Sequence, residues 1–178
     1  MKELSLHVLD IAQNSIKAGA TQLQITLSRP ERWLTITIED DGHGMPPEFL
    51  ATVTDPFTTT RTTRKVGMGL PLFRLAAEQT GGSLSVESHQ ATVERPEHGT
   101  KVTAVFDTQH LDCAPVGDMT STILTLLQGN PELELTYIRR EGTEEKLLST
   151  VEMREVLGEE IPLNAPEVLA WARAFLEE

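Results

Sequence analysis

The chain has 178 residues, 39% hydrophobic and 24% charged, a balance that suits a soluble globular protein of one large domain or two small ones. A net charge of -12 excludes a nucleic-acid-binding surface spread over the whole molecule, because phosphate backbones need clustered Lys and Arg. No run of about 18 apolar residues is available to span a bilayer and the N-terminus lacks a signal-peptide core, so a cytoplasmic protein without membrane contact is expected.

Cys113 is the single cysteine, which rules out an intrachain disulfide and a cysteine-based zinc site. The charge is uneven. Residues 1–108 carry 13 acids and 10 bases, whereas residues 109–178 carry 14 acids and 5 bases. The composition shifts near Asp107 to Pro115, so the expected division is a domain over 1–108 and a smaller one over 116–178.

In chain order, Leu4, Val8, Ile11, Ala12, Ser15 and Ile16 fall at helical spacings and predict a helix from Leu4 to Ala18, stopped by Gly19. Asp10, Asn14 and Lys17 occur at i, i+4 and i+7, so a carboxylate, an amide and an ammonium share one stripe. Such a stripe can position a water, ligate magnesium through oxygen and meet a phosphate, or it can be a solvated face. Leu23–Leu27 and Leu34–Ile38 alternate as two strands. The second ends in Asp40 and breaks into Asp41-Gly42-His43-Gly44-Met45. This corner is either a plain turn or a carboxylate that accepts from a purine amine while its glycines admit a ligand close to the backbone.

Pro46 to Val53 predicts a short helix. The Thr/Arg-rich stretch from Asp55 to Gly69 has no apolar periodicity and predicts a mobile loop, which is either merely basic and solvated or a cover for phosphates. Gly67-Met68-Gly69-Leu70 then opens a helix to Gln79 whose N-terminal N–H groups can face an anion. No Gly-Lys-Ser/Thr follows those glycines, so this is not a Walker-type loop, and the dinucleotide fingerprint is absent too. Strands are expected over Ser83–Glu87, near Thr92–Arg95 and over Thr100–Phe106.

A resemblance over residues 1–107 is carried by several short boxes in order. Asp10-Ile-Ala-Gln-Asn14-Ser-Ile-Lys17-Ala-Gly-Ala-Thr21 and Ile36-Thr-Ile-Glu-Asp40-Asp-Gly-His-Gly-Met45 are followed by Pro56-Phe57-Thr58-Thr59, by Gly67-Met68-Gly69-Leu70, and by Gly99-Thr100. Together they resemble the GHKL ATP-binding module of gyrases, heat-shock chaperones, sensor histidine kinases and MutL-type ATPases. The Asn-Ser-x-x-Ala-Gly-Ala-Thr wording is similar to the MutL type, whereas Lys17 and Pro-Phe-Thr-Thr are more like the kinases.

The resemblance implies a Bergerat fold, a two-layer α/β sandwich with helices covering one face of a mixed sheet. It implies ATP and Mg2+ as cofactors. Asn14 would ligate the magnesium and Lys17 approach the phosphates; Asp40 would accept the adenine amino hydrogen, and Gly42, Gly44 and Met45 shape the pocket edge. Phe57, Thr58, Arg64 and Lys65 belong to the implied lid, with Arg61 as a further candidate. Gly67, Met68, Gly69 and Leu70 form the second glycine box, and the Thr100 hydroxyl would support Asp40. Asp10 stands where the ATPase branch has a glutamate base and is one methylene shorter.

The remaining segment predicts a helix over Asp118–Gln128, strands over Leu133–Tyr137 and Lys146–Val151, and a last helix capped by Asn164 with Glu167. This small α+β appendage is expected to bind a partner protein, extend the sheet or mediate homodimerisation. His7 is a conceivable phosphoacceptor or an ordinary core or surface histidine, and His43 is expected to be exposed. Two functional classes follow from the resemblance. One is a regulatory ATPase or protein kinase that transfers the γ-phosphate, and the other is a nucleotide-sensing module whose lid closure controls a partner.

Overall fold

A computed structural model describes residues 3–55 and 69–178. Helix α1 (Leu4–Lys17) precedes a hairpin of β1 (Gln22–Arg29) and β2 (Trp33–Asp40). A short α2 (Pro47–Leu50) and α3 (Gly69–Glu78) come next, then β3 (Ser83–His89) and β4 (Gly99–Asp107). The chain continues through α4 (Met119–Gly129), β5 (Glu134–Glu141), β6 (Glu144–Ser149), α5 (Thr150–Leu157) and α6 (Pro166–Glu177). The strands form one six-stranded sheet in the order β3-β4-β2-β1-β5-β6. It is mixed: β5 runs parallel to β1, and the other neighbouring pairs are antiparallel.

Alternation decides which face is covered. Leu23, Ile25 and Leu27 of β1 and Leu34, Ile36 and Ile38 of β2 turn inward, while Gln24, Thr35 and Thr37 between them do not. The inward set packs against α1, α3, α4 and α6 in a single apolar cluster. The expected helix-covered mixed sheet is therefore present.

Of the three roles left open for the C-terminal segment, the topology shows sheet extension. Tyr137 lies opposite Ile25 in the parallel pairing of β5 to β1, and Leu126 and Leu135 share one core with Val8 and Ile36. The compositional boundary is a seam rather than a gap. There Pro115 and Val116 carbonyls accept from the Leu4 and Ser5 N–H groups, satisfying donors that the first turn of α1 would otherwise leave open. At its start, Asp107 receives the Arg32 guanidinium, which holds its carboxyl down to about 2.

Several local expectations are corrected. The stretch Thr92–Arg95 is a turn closed by the Thr92 N–H to the Arg95 carbonyl (2.8 Å), and Val93 is fully exposed, so no strand forms there. The second hairpin strand ends at Ser149, because Ser149-Thr150-Val151-Glu152 is a capping sequence: the Ser149 Oγ accepts from the Glu152 N–H and starts α5. Asn164 does not cap α6, which begins at Pro166 behind Ala165; its amide reaches back to the Gln128 carbonyl. The helix after Pro46 stops at Leu50 rather than Val53.

His7 is 3% exposed, with its ring stacked 5.2 Å from that of Phe73. Burial on this scale removes it as an accessible phosphoacceptor. His43 is exposed, as expected. Desolvation lowers the His7 pKa to about 4, so the unfolded chain takes up this proton before the folded one does. The stability it supports is present above about pH 6.5 and lost as the pH falls toward about 4. In urea titrations a His7→Phe protein is expected to lose less stability than the wild type across that window; equal losses would contradict the assignment.

Candidate functional site

The site lies where α1, the end of β2 and the start of α3 converge. Asp40 is the last residue of β2 and shares a face with the buried Leu34, Ile36 and Ile38, which aims its carboxylate at the helix layer. Ser15 Oγ, one turn beyond Ile11 on the buried side of α1, donates to Asp40 Oδ2 at 2.6 Å. The Gly42 N–H donates to Oδ1 at 2.8 Å. Each oxygen thus has one fixed donor and retains capacity to accept another. A Cβ at Gly42 would lie 3.0 Å from both the Ala18 carbonyl and Asp40 Oδ1, so the corner has no room for a side chain.

Asp41 has a structural task. Its carboxylate accepts from the Thr21 hydroxyl (2.6 Å) and from the Thr21 and Gln22 N–H groups (2.7 and 2.9 Å). Partial burial raises its pKa, but these donors outweigh burial and leave it below the usual carboxylate range. The turn after α1 is thereby tied to the turn after β2. Gly44 has φ +77, and a Cβ there would overlap the His89 backbone carbonyl, so both conformation and space demand glycine.

The neighbouring Met45 N–H donates to Ser88 Oγ (2.8 Å), and Ser88 in turn meets Thr100 Oγ1 at 2.7 Å. This differs from the role expected of Thr100. It lies directly opposite Asp40 in the β2–β4 register, but its hydroxyl is engaged by Ser88 on its other flank, while Ser15 and Gly42 hold the carboxylate. Ser15, Ser88 and His98, whose Nδ1 lies 2.7 Å from the Gly42 carbonyl, are site residues that motif reading passed over. Ser15 alone carried a signal, as a polar residue at an apolar-face position.

On the second side, Asp10 and Asn14 project from α1 toward the start of α3. A Cβ on Gly69 would overlap Asp10 Oδ2 and stand 3.4 Å from Asn14 Nδ2, so the backbone at the N-terminus of α3 abuts both side chains. Two oxygen-bearing groups therefore face the start of α3, where the helix dipole favours an anion. Lys17, at the far end of the same stripe, is exposed. Leu70 is buried in the core and Met45 packs against it. Phe57, Thr58, Arg61, Arg64, Lys65, Gly67 and Met68 lie outside the described residues.

Among the described residues no three His, Cys, Asp or Glu side chains cluster as a self-sufficient metal cage. The oxygens of Asn14 and Asp10 nonetheless fit magnesium, which takes few protein ligands and completes its shell with water and substrate phosphates.

The model of the histidine kinase-, DNA gyrase B- and HSP90-like ATPase family matches residues 2–110. The chain belongs to this family. Tetrathionate sensor histidine kinase TtrS of Salmonella typhimurium is 31% identical over 115 residues, 64% of this chain and 18% of that protein. Sporulation kinase A of Bacillus subtilis is 29% identical over 100 residues, 56% of this chain and 15% of that one. A solved structure of the mycobacterial sensor histidine kinase MprB aligns with a TM-score of 0.43 at 23% identity, covering 59% of this chain and 72% of that chain. The chain thus spans less than a fifth of the length of these two curated relatives. Family membership makes residues 2–110 an ATP-binding module of the histidine-kinase-like type.

Proposed function

We propose that this protein binds ATP with magnesium and either hydrolyses it or transfers its γ-phosphate to a protein partner, in a regulatory role. The observation that carries the reading is the convergence of Asp10 and Asn14 on the N-terminus of α3, across the site from a carboxylate held by Ser15 and Gly42. In this reading Asp40 accepts the adenine amino hydrogen, Gly42, Gly44 and Met45 form the pocket edge, and Thr100 steadies that edge through Ser88. Asn14 supplies an oxygen to the magnesium, and Lys17, Arg64 and Lys65 add positive charge near the phosphates. Bound magnesium neutralises phosphate charge as the terminal group departs. Asp10 orients the attacking water or hydroxyl and takes its proton. Residues 109–178 present the partner-binding surface, in a cytoplasmic protein; among the described residues no helix is long and apolar enough to cross a membrane.

A second reading has a specific basis. Asp10 is one methylene shorter than a glutamate base, and Gly69 already crowds its carboxylate. On that basis the protein senses ATP, and closure over the nucleotide switches a partner without turnover.

Incubating the protein with magnesium and ATP labelled on the γ-phosphate separates the readings. Release of labelled phosphate, abolished by about 100-fold or more in Asp10→Asn, is the outcome expected of a hydrolase with Asp10 as base. Label that stays in bound ATP favours sensing or a kinase lacking its substrate, and an Asp10→Asn protein as fast as wild type eliminates Asp10 as the base.

A further inference from the structure

Away from the nucleotide site, a furrow of about 560 Å³ runs between the outer strand β6, α5 and α6. Its walls include Leu147, Met153, Val156, Ile161, Trp171 and Phe175. Val156 is 85% exposed and Trp171 52% exposed, although Trp171 stacks on Phe175 and would be buried by any occupant. Large apolar side chains gathered in one exposed cleft mark an interaction site more often than they mark chance.

The charge around the furrow says what kind of occupant fits. Glu152 and Glu167 line it, and Glu155, Glu159 and Glu160 stand on α5 and the turn that follows. Among the described residues none of these five carboxylates has an ion-pair partner. The cations nearby are already engaged. Lys146 donates to the Phe175 carbonyl and pairs with Glu178, Arg154 donates to the Pro131 and Leu133 carbonyls, and Arg173 pairs with Glu177. An apolar floor is left with an unmatched acidic rim. A second copy of this chain seated on the same face would bring two such rims together, which like-charge repulsion disfavours.

We propose that this furrow docks a basic amphipathic helix of a separate protein, with its apolar side chains against Trp171, Val156 and Ile161 and its Lys or Arg residues against Glu152 and Glu167. A cleft whose walls are two helices and an edge strand takes a helix through anchors at i, i+3, i+4 and i+7. The rim charges set orientation and speed encounter, while Trp171, covered on docking, provides the anchoring area. This deepens the reading of residues 109–178 as the partner-binding surface, and it is tested without nucleotide so that its failure leaves the ATP reading untouched.

The chain contains two tryptophans, so in a Trp33→Phe protein emission reports Trp171 alone. The probe is a synthetic helical peptide with Leu and Phe at the anchor positions and Lys on both flanks, compared with a peptide carrying Glu in place of Lys. Saturable blue-shifted emission with the Lys peptide is expected, with affinity about tenfold or more weaker for the Glu peptide. A Glu152→Lys, Glu167→Lys protein should reverse that preference, an outcome that misfolding does not imitate. No saturable change, equal binding of both peptides, or a preference unmoved by charge reversal would overturn the proposal. So would self-association that Val156→Asp abolishes, since that result assigns the furrow to a second copy.

Discussion

An Asp40→Ala protein is expected to bind ATP about 10–100-fold more weakly than wild type while keeping its fold, measured by calorimetric titration with magnesium present. The range follows from the loss of a hydrogen bond to a charged group, about 1.5–3 kcal/mol, at about 1.4 kcal/mol per tenfold in affinity. Two features make the effect specific. The Asp40 carboxylate is fixed by Ser15 Oγ at 2.6 Å and the Gly42 N–H at 2.8 Å, so it meets a ligand without first paying to become ordered. Its two supporting donors, the Ser15 hydroxyl and the Gly42 N–H, belong to buried residues, which holds the acceptor in one place. Ser15→Ala should therefore weaken binding less than Asp40→Ala, because the Gly42 N–H still positions the acceptor. An Asp40→Ala protein with unchanged affinity would remove this residue from the adenine pocket.

The largest effect on stability is expected at Phe73. Its ring is fully buried and contacts the rings of His7 (5.2 Å) and Phe106 (5.7 Å), joining α3 to α1 and to β4. Truncation to alanine should cost about 3–5 kcal/mol, the transfer of a large aromatic plus the cavity it leaves. For a chain of this size each kcal/mol lowers the melting temperature by about 2–4 °C, so a shift of roughly 6–20 °C is expected in a thermal melt. The consequence reaches the site. Gly69 and Phe73 are one turn apart on α3, and the packing that holds Phe73 also holds the backbone of Gly69 against Asp10 and Asn14. A Phe73→Leu protein keeps most of the buried area and should retain more of both stability and ATP binding. A Phe73→Ala melt within a few degrees of wild type would contradict the packing role.

Much of the site was legible in the chain because its signals are local. Spacing at i, i+4 and i+7 put Asp10, Asn14 and Lys17 on one stripe, and the helix bears this out by bringing two of them to α3. Alternation in β2 carried Asp40 to the covered face, and the glycines of the corner announced a backbone that must bend tightly: Gly44 has positive φ, and Gly42 packs against Ala18. What escaped notice were partners distant in sequence. Ser15 and Asp40 are 25 residues apart, and Ser88 and Met45 are 43 apart, so no local pattern links them. A hydroxyl accepts and donates with little directional demand, and only the packing chooses its partner. Thr100 illustrates this, since its place opposite Asp40 is set by register but its bond goes to Ser88.

The C-terminal segment divides the same way. Its helices and strands are readable from periodicity, except for α5, whose Ser149-to-Glu152 cap falls within the stretch expected as strand. Its placement was not readable, because the parallel pairing of β5 with β1 joins residues more than a hundred positions apart and no turn residue records such a match. By itself the sequence determined the elements, the family's boxes in their order, and the acidic character of residues 109–178. Only the tertiary structure decided that this segment extends the sheet, that Asp40 is held by Ser15, and that an apolar furrow with an unpaired acidic rim lies between β6, α5 and α6. The physical reason is range: propensity and periodicity act within a few residues, whereas burial and hydrogen-bond choice are settled when distant surfaces close on one another.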